Sequence, residues 1–304
     1  MSHLLRRLAF MVPWLVLISL VAFVLVRLAP GGPFDRERAV PPEIERQLQA
    51  RYLLDQPWWR QYGAYLKGLM AGDLGPSMRY RNHTVNDILA AGLPVSLTIG
   101  SLAFALALGL GVPVGFLAAI RQGRWPDQVG SLVALGAICV PTFVVGPILV
   151  MVFGVRLGWL PVALWGSPAQ AVLPVLTLGI YFAGRVARLT REGMLQTLHA
   201  GFITTARAKG LSEGAVFWRH GLRLGVMPVV SYSGPMLADL LTGSFVVENL
   251  FQLPGIGVFL VNSSLNRDYP MVVGLVLAYA VLLLVLNLIV DLLYAVLDPR
   301  VRHG

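Results

Sequence analysis

The 304-residue chain is 56% hydrophobic and only 13% charged, with a net charge of +9 at neutral pH. A soluble domain carries about a quarter charged residues, so this composition excludes an ordinary soluble protein. The positive balance does not point to nucleic acid either, because the basic residues stand beside apolar runs, where membrane topology explains them.

Arg6 and Arg7 precede an apolar run over about 8–28, long enough to cross ~30 Å of hydrocarbon. A secretory signal peptide would have a shorter apolar core followed by a small-x-small cleavage site. Pro30 stands there instead, so the pattern predicts a retained first span. Residues 31–92 are polar by comparison. Pro41-Pro42-Glu43 is a helix-start signature for a helix reaching about Leu53. A second helix over 57–70 puts Trp58, Tyr62, Tyr65, Leu66 and Leu69 on one side, a spacing that signals packing on the membrane surface or a neighbouring domain, with a delivery protein as the alternative. Apolar runs at about 95–119, 130–153, 172–188, 226–247 and 271–297 supply five more spans, the first of the three central ones broken by Pro141 and Pro147. Cys139 lies in that broken run and reads as a small buried hydrophobe; alone, it excludes an intramolecular disulfide. Helices are the only open-ended elements that satisfy the backbone in lipid, so six apolar runs predict an all-α integral membrane protein with six transmembrane helices. The expected division is a first helix at 1–30, an extracytoplasmic helical segment at 31–92, a five-helix domain at 93–297 with a polar loop at 202–224, and a tail at 298–304.

With the N-terminus in the cytoplasm, the inner segments hold Arg6, Arg7, Arg121, Arg124, Arg188, Arg191, Arg207, Lys209, Arg219, Arg223, Arg300 and Arg302. The short outer loops hold only Arg156 and Arg267. The positive-inside rule therefore predicts cytoplasmic N- and C-termini and a cytoplasmic 202–224 loop.

That loop is the longest polar interruption in the last two thirds of the chain. Ala206, Ala208 and Leu211 can share one side of a short helix, with Arg207 and Lys209 on others, and Gly210 permits a sharp break. By composition it is either a plain basic loop or a short helix outside the membrane, gripped by a partner. The run Ile203-x-Thr205-Ala206-Arg207-Ala208-Lys209-Gly210-Leu211 resembles the "EAA" coupling loop of ABC importer permeases, in the form used by peptide importers. The resemblance continues through Arg219-His220, Pro228, Gly243, Glu248, Phe251, Pro254-Gly255-x-Gly257, Asn266-Arg267-Asp268-Tyr269-Pro270, Asn287, Asp291, Tyr294 and Asp298-Pro299-Arg300. Upstream, Ala29-Pro30-Gly31-x-Pro33-Phe34, Gly72-Asp73-Leu74-Gly75-Pro76-Ser77 and Val85-Asn86-Asp87 fit the same family, so the match covers nearly the whole chain. The position that gives the loop its glutamate is Thr204 here.

The resemblance implies a type I ABC importer permease fold with a periplasmic helical insertion after the first helix, in the bacterial inner membrane. It implies a permease subunit for oligopeptides, with dipeptides, peptide-like antibiotics or another small solute as alternative cargo. The implied partners are a sister permease, two ATPase subunits, an extracytoplasmic peptide-binding protein, the peptide cargo and the lipid bilayer, without nucleic acid. Thr204, Thr205, Ala206, Arg207, Ala208, Lys209, Gly210, Leu211 and Glu213 would form the helix that couples to the ATPases, with Arg207 facing an acidic rim of that partner. Pro254, Gly255, Gly257, Arg267 and Asp268 would lie on the side of the binding protein.

A Walker A motif ends in Gly-Lys-Ser/Thr, and neither Lys67 nor Lys209 follows a glycine. ATP and Mg would therefore be bound by partner subunits, and no cofactor or catalytic residue is expected in this chain. Gly210-Leu211-Ser212-Glu213-Gly214 matches a nucleophile elbow, but no strand pattern flanks it, so the match reads as chance. The run 253–259 reads as either a re-entrant segment or a plain turn. Asp239, in the fifth span, is a candidate path-lining residue for a cationic group of cargo or a sister subunit; Tyr232 or nearby hydroxyls would satisfy it otherwise. Asn287 and Asp291 sit one turn apart, and Asp291 is placed to anchor nearby arginines or backbone. Asp298-Pro299-Arg300 ends the last helix. His3, His83, His199, His220 and His303 lack metal-ligand spacing, so no metal is expected. Two rivals remain: a secondary transporter, which commonly shows inverted repeats that are not evident here, and an intramembrane hydrolase acting through Ser212.

Overall fold

The computed structural model describes residues 2–29, 42–241 and 245–297, and every regular element among them is helical. In chain order these are α1 (Ser2–Leu28), α2 (Pro42–Arg51), α3 (Trp58–Met70), α4 (Val85–Ile120), α5 (Trp125–Cys139), α6 (Thr142–Leu149), α7 (Pro168–Leu198) and α8 (Gly201–Ala208). Then follow α9 (Glu213–Ala215), α10 (Leu222–Gly225), α11 (Met227–Leu241), α12 (Phe245–Leu250), α13 (Ile256–Leu265) and α14 (Tyr269–Leu297). Two π-helical stretches, Val150–Arg156 and Val216–Gly221, extend α6 and α9.

Four helices (α1, α4, α7 and α14) are long and apolar enough to cross a membrane, and two bent pairs bring the number to six if each pair is one span. Large apolar side chains stand exposed along them, among them Phe10, Trp14 and Leu25 on α1 and Val281, Val285 and Ile289 on α14. Such faces are suited to lipid. Asp298-Pro299-Arg300 and the 298–304 tail lie outside the described residues, as do residues 30–41, Gly243 and the side chains of Asp291 and Tyr294.

Several bounds differ from the sequence expectation for local reasons. Helix α4 starts at Val85 rather than near 95, because Thr84 and Asp87 form a reciprocal cap: the Thr84 amide donates to Asp87 Oδ2 (2.8 Å) and the Asp87 amide to Thr84 Oγ1 (3.2 Å). The broken span is bent by 100° between Cys139 and Thr142. Val140, which precedes Pro141, is extended (φ −86°, ψ 117°), as the proline ring demands of its predecessor. Pro147, expected to break the run as well, sits inside α6, and the widened π-helical turns follow it. Cys139 is exposed, not buried, because it ends α5 at this bend.

Packing divides the chain into two units, Met1–Pro94 with Gly255–Leu284 and Val95–Pro254 with Val285–Gly304. Residues 255–284 thus pack with the first 94 rather than with the rest of the 93–297 segment. In the first unit, the aromatic face of α3 lies on α1: Tyr62 meets Phe23 edge-on at 5.1 Å, and the Tyr62 hydroxyl donates to the Val16 carbonyl (3.1 Å). Arg27 lies over the Phe23 ring at 3.4 Å and donates to Gln61 Oε1 (2.6 Å). The neighbour predicted for the aromatic stripe is therefore α1, while Trp58 and Trp59 remain exposed.

The second unit packs around Ile99, Ala103, Leu173, Phe182, Val186, Met236, Leu240 and Phe251. Gly111 and Gly115 let α4 approach α7 closely. A Cβ at Gly115 would fall 2.2 Å from the Ala187 carbonyl oxygen, and one at Gly111 2.7 Å from that of Ala183. Small residues one turn apart are a common device for apposing helices in lipid, where no hydrophobic force draws them together. Helix α5 is tied to α7 by Asp127, buried, which accepts from Arg191 Nη2 (2.9 Å) and from the Gly123 amide (2.9 Å).

Candidate functional site

The polar loop folds as a helix closed on itself. Helix α8 buries Ile203 and Ala206 against Val216, with Leu211 and Phe217 packed on the same cluster. Its C-terminus is a Schellman closure: the Gly210 amide donates to the Arg207 carbonyl (2.9 Å) and the Leu211 amide to the Ala206 carbonyl (3.3 Å). Gly210 takes φ +79°, in the left-handed region, and a Cβ there would meet nothing within 4 Å, so the requirement is conformational, not steric. Ser212 then caps α9 by accepting from the Ala215 amide (3.4 Å). That is the task of the hydroxyl in the elbow-like sequence, and no strand flanks it among the described residues.

This closure decides which side chains face outward. Thr204, Thr205, Arg207, Ala208, Lys209, Gly210 and Glu213 are exposed, Leu211 is half-buried and Ala206 is buried. The expected grouping of Ala206 with Ala208 is corrected: Ala208 lies off the buried stripe, and Ile203 replaces it. Arg207 also has a neighbour that its place in the sequence did not reveal. Because the chain reverses at Gly210, Arg207 meets Glu213 in a two-pronged pair (Nε–Oε1 2.8 Å, Nη2–Oε2 3.1 Å), so its acid is supplied by its own chain.

The residues expected on the binding-protein side separate in the same way. Asp268 is fully buried. It caps α14, accepting from the Met271 amide (3.3 Å), and it holds the turn after Pro76, accepting from the amides of Met78 (3.1 Å) and Arg79 (3.2 Å) and from the Ser77 hydroxyl. A surface contact through Asp268 is excluded by that burial. Gly255 and Gly257 are buried too, whereas Pro254 is exposed and Arg267 half-buried. Gly257 lies in α13, so 256–265 forms a ten-residue apolar helix where the glycines and proline suggested a turn or a re-entrant segment. Nearby, Asn86 accepts from the Leu74 amide (2.9 Å) and donates to the Gly72 carbonyl (2.7 Å). Three separate stretches, 72–77, 86–87 and 266–270, thus close one knot in the first unit.

In the second unit, Glu248 is buried and accepts from the Ser96 hydroxyl (2.7 Å). Asp239 is exposed on α11, within electrostatic reach of Arg185 on α7. Arg185 escaped the sequence reading because it stands just before Arg188 and Arg191 and passes for part of the same basic end. Its guanidinium donates to the hydroxyls of Tyr232 (2.9 Å) and Tyr181, so Tyr232 serves the arginine. Asn287 is exposed on α14. Among the described residues no group of three His, Cys, Asp or Glu side chains could hold a metal ion.

Residues 111–303 match the family model described as the binding-protein-dependent transport system inner membrane component. The Oligopeptide transport system permease protein OppB of Haemophilus influenzae is 43% identical over 306 residues, covering 100% of both chains, and that of Escherichia coli strain K12 is 43% identical with the same coverage. The chain belongs to this permease family. The Dipeptide transport system permease protein DppB of Bacillus subtilis is 38% identical over 99% of this chain and 97% of its own. Among solved structures, an inward-facing MetNI methionine ABC transporter superposes with a TM-score of 0.55 at 17% identity, covering 69% of this chain and 96% of that one. That likeness shows the shared fold, a type I ABC importer permease. The family is one of multi-pass membrane permeases, and membership implies partner ATPase and further permease subunits.

Proposed function

We propose that this chain is the membrane subunit of an ATP-driven importer of oligopeptides, in the inner membrane with both termini in the cytoplasm. The single observation that carries the cargo class is the end-to-end identity of 43% to oligopeptide permeases, against 38% for a dipeptide permease. In this account the chain pairs with a sister permease of similar fold, takes cargo from an extracytoplasmic peptide-binding protein, and docks two ATPase subunits that hold the ATP and Mg. Helix α8 is the joint. Its apolar side is fixed on Val216 and its outward side presents Thr204, Thr205, Arg207, Ala208 and Lys209. A short helix held at both ends moves as a body, so rotation of the ATPases passes through it to α7 and α10. ATP binding turns the path outward and hydrolysis resets it.

The test is reconstitution of this chain with its sister permease, both ATPases and the binding protein in proteoliposomes. ATP-dependent uptake of labelled peptides from two to eight residues is then measured. Uptake that rises beyond dipeptides supports the oligopeptide assignment, and uptake confined to dipeptides moves the chain to the dipeptide branch. Uptake driven by an ion gradient without ATP would sink the importer proposal.

A further inference from the structure

Arg185 lies in the interior of α7, six residues before Arg191, which is about 9 Å of helical rise. Arg191 is clamped to Asp127 at the start of α5, beside the basic 121–124 loop. That basic end marks the inner border of the membrane in the proposed orientation, so Arg185 sits well inside it. Its partners are both phenols. Nη1 donates to Tyr232, Nη2 donates to Tyr181, and Cζ lies 4.8 Å from the centroid of the Tyr181 ring. Two neutral hydroxyls aim a guanidinium without neutralising it. Among the described residues, the acid that acts on it electrostatically is Asp239, seven residues beyond Tyr232 on α11, about 10 Å further along the helix. Arg185, Tyr181 and Tyr232 are partly exposed and Asp239 is exposed. Ionisable groups at this depth do not face acyl chains; they face a water-filled cavity or a partner.

We propose that Arg185, aimed by Tyr181 and Tyr232 and opposed by Asp239, is a station in the translocation path that takes the C-terminal carboxylate of a passing peptide. The proposal rests on the oligopeptide-importer function above and names the part of the cargo that the path reads. An importer of varied sequences can use a fixed cation only against something all its cargo shares, and every linear peptide ends in a carboxylate. The planar fork of arginine matches that group with two hydrogen bonds. Asp239 competes for the same charge, which keeps the station from becoming a trap, since conduction needs sites weak enough to leave.

The test uses the complete reconstituted importer with its binding protein. Uptake is compared for a peptide and its C-terminal amide, each normalised by the measured affinity of the binding protein for it. Wild type favours the free acid by about tenfold, Arg185→Gln brings that ratio close to one, and Arg185→Lys keeps most of it. Where Arg185→Gln does not assemble with the sister permease, Tyr232→Phe, which removes one of the two hydroxyls that aim the fork, lowers the ratio by about threefold. A wild-type ratio of one, or a ratio unchanged in both variants, overturns the proposal. So does an equal loss of acid and amide uptake, which would mark Arg185 as a structural or subunit contact. A wild-type importer that takes up neither peptide with ATP sinks the importer function itself, and this inference with it.

Discussion

Gly210 and Asp268 each perform one task that no neighbouring residue type can. Gly210→Ala forces a Cβ into the left-handed region at a cost of about 1 kcal/mol. Gly210→Pro cannot take φ +79° at all and opens the closure. The expected outcome for the proline variant is normal membrane insertion with ATP hydrolysis no longer linked to uptake; intact coupling would remove α8 from the mechanism. The Arg207–Glu213 pair is exposed, so its own contribution to stability is about 0.5 kcal/mol. That makes a charge swap informative. Arg207→Glu with Glu213→Arg preserves the pair but reverses the field toward any partner. If the pair only holds the loop, the double variant transports as wild type does; if an acidic ATPase surface reads Arg207, uptake drops in the double variant too. Asp268→Ala strips the buried Ser77 hydroxyl and the buried Met271 amide of an acceptor, with the part-buried amides of Met78 and Arg79, and a loss of about 3 kcal/mol follows, read as a lower thermal midpoint in detergent. The sequence shows Asp268 as a charge in an outer loop and cannot show its burial, which arises from Ser77, distant in the chain. Arg185 was hidden by its neighbours Arg188 and Arg191 for the same reason: composition records a residue's presence, not the direction in which it points.

At the scale of elements, apolar run length was the most legible signal, because a helix in lipid has few alternatives. The ends were less so. The start of α4 is written in Thr84-Val85-Asn86-Asp87, a capping box that looks like polar loop until the helix behind it is known. The 100° bend at Pro141 is legible as a break but not as an angle, since the angle depends on what α5 and α6 pack against. The close approach of α4 and α7 is more sharply testable. Gly115→Leu drives a side chain into the Ala187 carbonyl, 2.2 Å from the position of its Cβ. The helices must part, at a cost of about 1–3 kcal/mol. The expected readout is reduced yield of folded permease and a lower melting midpoint, while Gly109→Leu, where a Cβ would meet nothing within 4 Å, leaves both unchanged.

For the whole molecule, orientation is the property on which the proposed function turns. With exposed Cys139 replaced by alanine, single cysteines at Thr205 and at Arg267 should label with a membrane-impermeant maleimide from opposite faces of inside-out and right-side-out vesicles. Labelling of Thr205→Cys from the outer face would remove α8 from the reach of a cytoplasmic ATPase. Fold class and membrane character were open to sequence reasoning because lipid imposes one solution on the backbone. The division into two packing units was not, since 255–284 joins the first 94 residues through contacts far apart in the chain.

The bond between Ser77 and Asp268 also sets a timetable for biogenesis. The ribosome delivers Ser77 early and Asp268 near the end, so the turn after Pro76 is without that acceptor through most of translation. A chain that stops short of residue 268 lacks the acceptor shared by the Ser77 hydroxyl and the Met78 and Arg79 amides.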